Sequence, residues 1–387
     1  MDQERVIADE VRDGSNSLKL VRRLGRTGFA VNVLGLGGHT YPIGEDPDCF
    51  MSPDTRSQLI SRLVSAGVNY FDTTDMCEVE VLADSFTRAG IGDNVVVSIH
   101  GGHIRDPKWR EQLRSGIESR LETLGYSCAP LFITSVGDGE ASYVDVLSAC
   151  EAMRKLKEEK LLQNIGLSCH TISLFPVISK VIRETDLIDY IMIRFNWKFR
   201  QANEELFPVA EEHDVGIVVM KLFCWDCGPS QWGRRISVFE PVAAVSHIKT
   251  SSSLTSAQRN ILWCIHNAPC DVIVPSMNTM REVEENIQAL SSMDAYADTD
   301  DFEKYSGRLW NKKEIKSLAR HAESSIIRDR AKFLLNPKPK WGRVLLLLRT
   351  IRAHYRILRD EGLKKYLLYS YNYRKVQLLG LLKKMRT

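Results

Sequence analysis

The chain has 387 residues, of which 44% are hydrophobic and 26% are charged, as in a globular protein with a large core. Its net charge of +3 is unevenly spread, because residues 338–387 carry 14 Lys and Arg against 2 Asp and Glu. That segment has a charge of +12, which leaves −9 for residues 1–337. We therefore expect an acidic body and a basic C-terminal segment with different roles.

Targeting and membrane signals are absent from the sequence pattern. Residues Met1–Arg5 are charged and lack the apolar stretch of a signal peptide. The densest apolar run, Val344 to Leu348, is far too short to span a membrane. The nine cysteines form no repeating framework, which is typical of free thiols in a reducing compartment. These features predict a cytoplasmic protein.

The predicted elements begin with a β-hairpin, in which residues 18–24 and 29–33 flank a turn that contains Gly25 and Gly28. Eight strand-like segments then alternate with eight helical ones. In chain order, the predicted strand and helix pairs are Val33–Leu36 and 55–66, Tyr70–Asp72 and 79–89, Val95–Ser98 and 108–123, Leu131–Thr134 and 141–159, Asn164–Leu167 and 171–184, Tyr190–Arg194 and 203–213, Gly216–Met220 and 255–267, and Val272–Val274 and 279–291.

Eight such units in order predict a (β/α)8 TIM barrel with an N-terminal hairpin and an extra helical segment at the C-terminus. A doubly wound sheet is the alternative, but it would more often carry Gly-x-Gly-x-x-Gly after its first strand, and residues 35–38 read Gly-Leu-Gly-Gly. We predict a flexible N-terminus at 1–17, the barrel at 18–295, a helical extension at 296–337 and a basic amphipathic tail at 338–387.

Asp72 ends a short apolar run and is followed by a polar turn. A buried parallel strand has this pattern when it delivers a carboxylate to the mouth of a barrel. Asp72 is therefore the first candidate for a catalytic residue.

Several motifs resemble those of the aldo-keto reductase family, and together they cover roughly residues 20–295 in barrel order. The strand end 219–222, Val-Met-Lys-Leu, is similar to the branch that often carries a C-terminal iron–sulfur module. That module needs clustered cysteines, and none follows Cys270, so no iron–sulfur cluster is expected. The matching motifs are Arg23-Leu24-Gly25-Arg26-Thr27-Gly28, Leu34-Gly35-Leu36-Gly37-Gly38, Ala66-Gly67-Val68-Asn69-Tyr70-Phe71-Asp72-Thr73, Lys160-Leu161-Leu162-Gln163-Asn164-Ile165-Gly166-Leu167-Ser168, and Val274-Pro275-Ser276 with Val283-Glu284-Glu285-Asn286.

The resemblance implies hydride transfer between a nicotinamide cofactor and a carbonyl, at a site made of Asp, Tyr, Lys and His. The family's Asp falls on Asp72 and its Tyr on Cys77. Its Lys falls on His100, or on Ile99 if the register differs by one, and its His falls on Ser135. One of the four residue types is therefore kept.

Two interpretations of this departure stay open. In the first, the site is rebuilt, with His100 as acid–base and Cys77 as proton donor or nucleophile. In the second, hydride chemistry is lost and these side chains fill the pocket, as a lone cysteine usually does. The first function hypothesis, which the resemblance implies, is an NAD(P)-linked oxidoreductase with a remodelled site that acts on a small polar carbonyl or alcohol. The alternatives are a ligand- or partner-binding pseudoenzyme and a non-redox enzyme of elimination or isomerisation.

The implied cofactor site departs from the family as well. The Ser-Asn pair and the Gln that contact nicotinamide become Ser168-Cys169 and Met192, whereas the adenine-end residues Glu285 and Asn286 match. The residue that usually holds the 2′-phosphate becomes Glu282, whose charge disfavours that phosphate and predicts tolerance of NAD. The candidate cofactor-binding residues are Gly37, Gly38, Ser168, Cys169, Met192, Lys221, Ser276, Glu285 and Asn286.

Cysteines and histidines collect at the predicted strand ends, but Cys224-x-x-Cys227 is one pair without a second, so we predict no metal site. The other members of this set are His39, Cys77, His100, His103, Cys169 and His170.

The basic tail places four arginines at spacings of three and four, on one face of a predicted helix. Such helices contact anionic membrane surfaces, an acidic partner or the acidic body of the same chain. No motif indicates nucleic-acid binding. The expected partners are therefore a small-molecule substrate and, through 338–387, a membrane surface or an acidic protein. The arginines are Arg349, Arg352, Arg356 and Arg359.

Overall fold

The computed structural model describes residues 20–38, 53–92, 94–136, 141–196, 199–223, 254–277, 279–292 and Arg320. The predicted flexible N-terminus, the helical extension apart from Arg320 and the basic tail lie outside the described residues. The predicted domain boundaries and the contacts of the tail therefore stay predictions.

The strands form a hairpin and a parallel sheet. The hairpin pairs β1 (Val21–Arg23) with β2 (Ala30–Asn32) in antiparallel register. Seven parallel strands follow, and each pairs with the next along the chain. These strands are β3 (Tyr70–Asp72), β4 (Val96–His103), β5 (Leu131–Ser135), β6 (Ile165–Cys169), β7 (Tyr190–Arg194), β8 (Gly216–Met220) and β9 (Val272–Ile273).

The segment around Leu34 and Leu36 lies between the first and last strands of this sheet. Leu34 bridges Ile273 of β9 and Leu36 bridges Phe71 of β3, both in parallel. The predicted first barrel strand is thus a pair of isolated bridges rather than a regular strand. Because these bridges join the two edges of the sheet, the predicted (β/α)8 barrel is confirmed.

Helices alternate with the strands and cover the outside of the barrel. None of the described helices is long and apolar enough to cross a membrane. The helices are α1 (Pro53–Ser65), α2 (Met76–Ala89), α3 (Trp109–Leu124), α4 (Tyr143–Glu158), α5 (Phe175–Glu184), α6 (Ala202–Glu205), α7 (Phe207–Glu212), α8 (Ser256–Asn267) and α9 (Met280–Leu290).

Two helices differ from their predictions for local reasons. The helix predicted at 203–213 is split into α6 and α7, because Pro208 has no backbone N–H and lies at the start of α7. Helix α2 begins at Met76, three residues before its predicted start, since Asp75 accepts a hydrogen bond from the Glu78 N–H and caps the helix.

The hairpin closes the N-terminal end of the barrel. Leu24 and Val31 are completely buried and belong to the same cluster as the side chains that line the barrel interior. Gly25 has a φ of 45°, and a Cβ there would lie 2.1 Å from the Gly216 nitrogen. A glycine is therefore required where the hairpin crosses the start of β8.

Buried carboxylates at this end accept hydrogen bonds from the backbone. Asp189 is 5% exposed, accepts a hydrogen bond from the Ile165 N–H at 2.8 Å and pairs with Lys157 Nζ at 2.6 Å. Asp271 similarly accepts from the Ile217 N–H at 2.8 Å. These contacts join the starts of neighbouring strands to the helices and loops that precede them.

Candidate active site

The predicted catalytic residues lie at the carboxyl ends of neighbouring strands. Asp72 pairs in register with Ser98, His100 with Ile133, and Ser135 with Ser168. Because parallel strands end at one face of a barrel, Asp72, His100 and Ser135 are brought together at its mouth.

Strand register also settles which residues face the barrel axis. Tyr70 and Ile133 belong to the interior cluster. Side chains two residues apart in a strand point to the same face of the sheet. Residues that pair in register on adjacent strands also point to the same face. Asp72 therefore faces inward from β3. His100 faces inward from β4, while the alternative Ile99 is completely buried on the opposite face.

Asp72 is held by the backbone of residues 34–38, the segment that joins the first and last strands of the barrel. Its Oδ2 accepts a hydrogen bond from the Gly38 N–H at 3.2 Å. A Cβ on Gly38 would lie 2.5 Å from Thr74 Oγ1 and 2.9 Å from Asp72 Oδ2. Only a residue without a side chain lets the backbone approach the carboxylate this closely.

Cys77 is turned toward the start of its own helix. Its thiol lies 2.8 Å from Asp75 Oδ1, the same oxygen that caps α2. Burial, and then the charge of Asp75, raise the pKa of Cys77 far above its ordinary value. The thiol is therefore protonated at neutral pH, and a nucleophilic role would require Asp75 to be displaced or neutralised.

Glu78 is a site residue that the sequence reasoning missed. It is 1% exposed, and its Oε2 accepts a hydrogen bond from the Thr74 N–H at 2.5 Å. The same oxygen would lie 3.2 Å from a Cβ on Gly38, so two carboxylates, Asp72 and Glu78, flank this glycine. The Asp75-x-x-Glu78 spacing was the available signal, because it is the pattern of a helix start.

His100 lies in a strand that is longer than predicted. Strand β4 continues through His103, with an irregularity in its pairing between the two histidines. The Gly102 N–H donates to His100 Nδ1 at 3.0 Å, and the two histidine rings lie 6.2 Å apart. When Nδ1 is an acceptor, the proton of the neutral imidazole is on Nε2. His100 can therefore present an N–H donor at the mouth.

The residues expected at the nicotinamide end offer few polar contacts. Met192 is 3% exposed and belongs to the interior cluster. Cys169 is completely buried, with its Sγ 3.3 Å from the Thr171 carbonyl oxygen. Ser168 and Ser135 are buried polar side chains on adjacent strands. Ser168 pairs in register with the inward-facing Met192, whereas Cys169 pairs with Ile193 on the opposite face. The inward-facing polar groups at this end are thus hydroxyls rather than an amide pair.

Four other candidate cofactor-binding residues lie around β8 and β9. Lys221 follows β8 with a φ of 61°, and its carbonyl accepts a hydrogen bond from Asn196 Nδ2 at 2.8 Å. Ser276 is exposed, and its Oγ donates to the Gly38 carbonyl at 3.1 Å. The Gly37 N–H donates to the Pro275 carbonyl at 2.9 Å. Gly37, Gly38 and Ser276 are therefore brought together.

The adenine-end candidates lie on α9. Asn286 is 2% exposed and Glu285 is partly buried, with its carbonyl accepting from Gln258 Nε2 at 3.1 Å. Glu282 accepts a hydrogen bond from the Thr279 N–H at 3.0 Å and completes a capping box. The carboxylate that the sequence placed at the 2′-phosphate position is thus held at the start of α9.

Arg194 and His170 were not predicted as site residues. Arg194 ends β7, is 8% exposed and stacks on Phe199 with its Cζ 4.1 Å from the ring centroid. His170 follows β6, and its Nδ1 is buried without a hydrogen-bond partner among the described residues. No motif marks either residue, because their roles depend on which face of the barrel they occupy.

Metal ligands do not converge in the part of the chain that the structure describes. No group of three or more His, Cys, Asp or Glu side chains is close enough there to hold a metal ion. His39, Cys224 and Cys227 lie outside the described residues.

Comparison with known proteins identifies the family. The sequence profile of the Aldo/keto reductase family matches residues 33–303. The chain belongs to the aldo/keto reductase family. Among curated relatives of this aldo/keto reductase, the uncharacterized oxidoreductase YqkF of Bacillus subtilis is 20% identical over 331 residues, which cover 79% of this chain and 97% of that protein.

Solved structures show the same fold at low sequence identity. The apo form of aldo-keto reductase AKR11C1 from Bacillus halodurans has a TM-score of 0.53 and 16% identity, with 76% of this chain and 99% of that chain covered. An aldo-keto reductase from Klebsiella pneumoniae in complex with NADPH has a TM-score of 0.51 and 20% identity, with 70% and 88% covered.

Proposed function

We propose that this aldo/keto reductase is an NAD(P)-linked oxidoreductase that interconverts a small polar carbonyl compound and its alcohol at a remodelled site. The observation that carries the proposal is the inward-facing pair of Asp72 and His100 at the barrel mouth, with an N–H donor on the imidazole. Family membership and the NADPH complex of the Klebsiella relative support the nicotinamide cofactor.

His100 takes over the role of holding the carbonyl oxygen. The Gly102 N–H donates to His100 Nδ1, so the imidazole carries its proton on Nε2. This Nε2–H stabilises negative charge on the substrate oxygen. The proton that completes the alcohol comes from water, since a neutral imidazole is a weak acid. Asp72 keeps Gly38 close to the site, and the protonated Cys77 takes no part in this scheme.

The residues around β9 fit the polyanionic part of a dinucleotide. They combine the exposed hydroxyl of Ser276 with the backbone at Gly37 and Gly38, and the adenine-end candidates Glu285 and Asn286 follow on α9. The nicotinamide end fits less closely, because Cys169 and Met192 replace amide groups with sulfur. When bound, the dinucleotide would supply or accept the hydride. Glu282 carries negative charge at the start of α9, so NADH is expected to bind at least as tightly as NADPH.

Cofactor binding is the first test. NADH and NADPH are titrated separately into the full chain while intrinsic tryptophan fluorescence is followed. Trp109 begins α3, directly after the strand that carries His100, and is 5% exposed. We expect a saturable change with both cofactors. Absence of any response to either cofactor would overturn the proposal.

Turnover of a panel of aldehydes, ketones and alcohols is the second test. His100→Ala should keep cofactor binding and lose turnover by about 100-fold, the usual effect of removing one oxyanion donor. His103→Ala is the matched control, because this neighbouring histidine is exposed and is expected to change turnover little. Saturable cofactor binding without turnover of any panel member would contradict the enzyme and indicate a ligand-binding barrel.

One observation favours a second candidate, a non-redox enzyme. Asp72 and Glu78 place two carboxylates around Gly38, an arrangement that suits proton abstraction and return. Elimination or isomerisation would then proceed without a dinucleotide. Turnover of a hydroxy or oxo compound in cofactor-free protein, abolished in Glu78→Gln, would support this candidate.

A further inference from the structure

Arg194 lies in the inner layer of the barrel mouth. Tyr190 and Met192 of the same strand belong to the interior cluster, and Arg194 follows at the same period of two. It pairs in register with Met220, which is another interior side chain. The guanidinium group is therefore directed to the axis on which Asp72 and His100 converge.

Two further nitrogen-bearing side chains, a neutral imidazole and an ammonium group, surround the same point. Cys169 pairs with Ile193, so His170 lies beside Arg194 on the neighbouring strand end. Lys221 comes one residue after Met220 on the other side of Arg194. The adjacent ends of β6, β7 and β8 thus carry an imidazole, a guanidinium and an ammonium group in sequence.

Electrostatics agree with this geometry. Burial, and then the charges of Lys221, Arg194, His100 and His103, lower the pKa of His170 to about 3. Positive charge from Lys221 and Arg194, on the neighbouring strand ends, therefore acts on one neutral ring. Its buried Nδ1 has no hydrogen-bond partner among the described residues, a costly arrangement in the absence of a ligand.

The backbone and an aromatic ring hold these groups in place. Phe199 packs against the Arg194 guanidinium at 4.1 Å. Lys221 has left-handed backbone geometry, and Asn196 binds its carbonyl. A preorganised cluster of two cations and a neutral imidazole binds an anion without a large cost in conformational entropy.

We propose that Arg194, His170 and Lys221 bind a carboxylate group of the substrate, so that the substrates are oxo acids or their hydroxy acids. This inference rests on the proposed function, since it names the substrate class of the same site. Arg194 suits a planar carboxylate because its guanidinium can donate two parallel hydrogen bonds. The carbonyl of the same molecule then lies toward His100.

A second anion could occupy the cluster, namely the pyrophosphate of the dinucleotide. The position of Arg194 favours the substrate, because the guanidinium faces the barrel axis with Asp72 and His100. The candidate cofactor contacts at Gly37, Gly38 and Ser276 lie around β9, two strands away from Arg194 on β7. The experiment separates these two sources.

The test compares 4-carboxybenzaldehyde with its methyl ester, which differ in charge while keeping the same aldehyde. KM, kcat and the NADPH dissociation constant are measured for the full chain and for Arg194→Met. We expect the wild-type KM to be at least 10-fold lower for the acid, and Arg194→Met to raise only this KM by about 10- to 100-fold. Arg194→Lys should restore part of the preference.

Arg200→Met is the matched control, because it removes the same side chain from an exposed position on the loop after β7. It should leave both KM values unchanged. Equal KM values for acid and ester in the wild type would overturn the inference. A rise in the NADPH dissociation constant in Arg194→Met, with the acid preference kept, would assign the cluster to the cofactor phosphate and also overturn it.

Terephthalate binding tests the carboxylate site without turnover, so that its outcome is distinguishable from a failure of the proposed function. Calorimetric titration of terephthalate into cofactor-free protein should show binding that Arg194→Met weakens at least 10-fold. If the anion binds in this way but no carbonyl compound turns over, the proposed function fails and the carboxylate site stands. If Arg194→Met does not fold, as judged by circular dichroism, Lys221→Met is used, and unchanged terephthalate binding in that variant rejects the site.

Discussion

The two ends of the barrel differ in how their buried polar groups are hydrogen-bonded. At the N-terminal end, Asp189 and Asp271 accept hydrogen bonds from the starts of strands, and Leu24 seals the interior. At the C-terminal end, Arg194 is directed to the barrel axis and the Nδ1 of His170 has no partner among the described residues. The closed end is built for stability, whereas we propose that the groups at the mouth bind a ligand.

The largest effect is expected from Asp189→Asn at the closed end. The substitution keeps the shape of the side chain but leaves Lys157 Nζ facing an amide, and it weakens the acceptor for the Ile165 N–H. We expect the free energy of unfolding to fall by about 3 kcal/mol. Urea denaturation measures this change, and turnover should be unaffected.

Asp214→Asn is its control. Asp214 pairs with Arg23 at 2.7 Å, but both side chains are about 40% exposed, so the pair contributes less than about 1 kcal/mol. If Asp189→Asn and Asp214→Asn lost equal free energy of unfolding, burial would not be what makes Asp189 important.

The mouth is expected to be disturbed by Gly38→Ala, because the new methyl group would meet Thr74 Oγ1 and Asp72 Oδ2. The free energy of unfolding should fall by about 2 kcal/mol, and turnover should fall as Asp72 is displaced. Gly28→Ala is the comparison, since a Cβ there meets nothing within 4 Å and only its φ of 77° opposes the change. Loss of turnover in Gly28→Ala would show that the effect is not local to Asp72.

A smaller effect should appear in the pH dependence of stability. The folded protein holds the pKa of His170 at about 3, below its ordinary value of 6.5, because the site is buried beside Arg194, Lys221, His100 and His103. Above pH 6.5 the ring is neutral in both states. As the pH falls below 6.5 the unfolded chain takes up a proton and the folded chain does not, so stability is lost.

We expect this loss to be about 1 kcal/mol greater at pH 6 in the wild type than in His170→Asn, which cannot be protonated. Denaturation curves at pH 8 and pH 6 give the difference. Parallel pH profiles for the two proteins would contradict a neutral His170 in the folded state.

The smallest effect on stability is expected from Asp75→Asn. Asparagine caps a helix about as well as aspartate, so α2 should be retained and the free energy of unfolding should change by less than about 0.5 kcal/mol. The negative charge that raises the pKa of Cys77 is removed, and alkylation of this thiol by iodoacetamide should become several-fold faster. Mass spectrometry of labelled peptides measures the rate at Cys77. The buried Cys150 is the internal control, and its rate should not change.

Local sequence patterns were sufficient for most of the architecture. Apolar runs of strand length alternated with amphipathic helices, which indicated the eight-unit barrel and put Asp72 at a strand end. The helix start at Asp75 was missed, although Asp75-x-x-Glu78 is a local capping pattern. The division of the helix at 203–213 was also readable in principle, because proline disrupts a helix through its own backbone.

The tertiary structure decided which side chains meet at the mouth. By itself, the sequence determined the barrel and the strand end at Asp72, because these depend on periodicity between residues close in the chain. It did not reveal that Arg194 faces the axis or that His170 lies beside it, because inward direction follows from register between distant strands. The orientation of Cys77 depended on the position of the Asp75 carboxylate, and closure of the barrel depended on bridges from Leu34 and Leu36 to residues at opposite edges of the sheet.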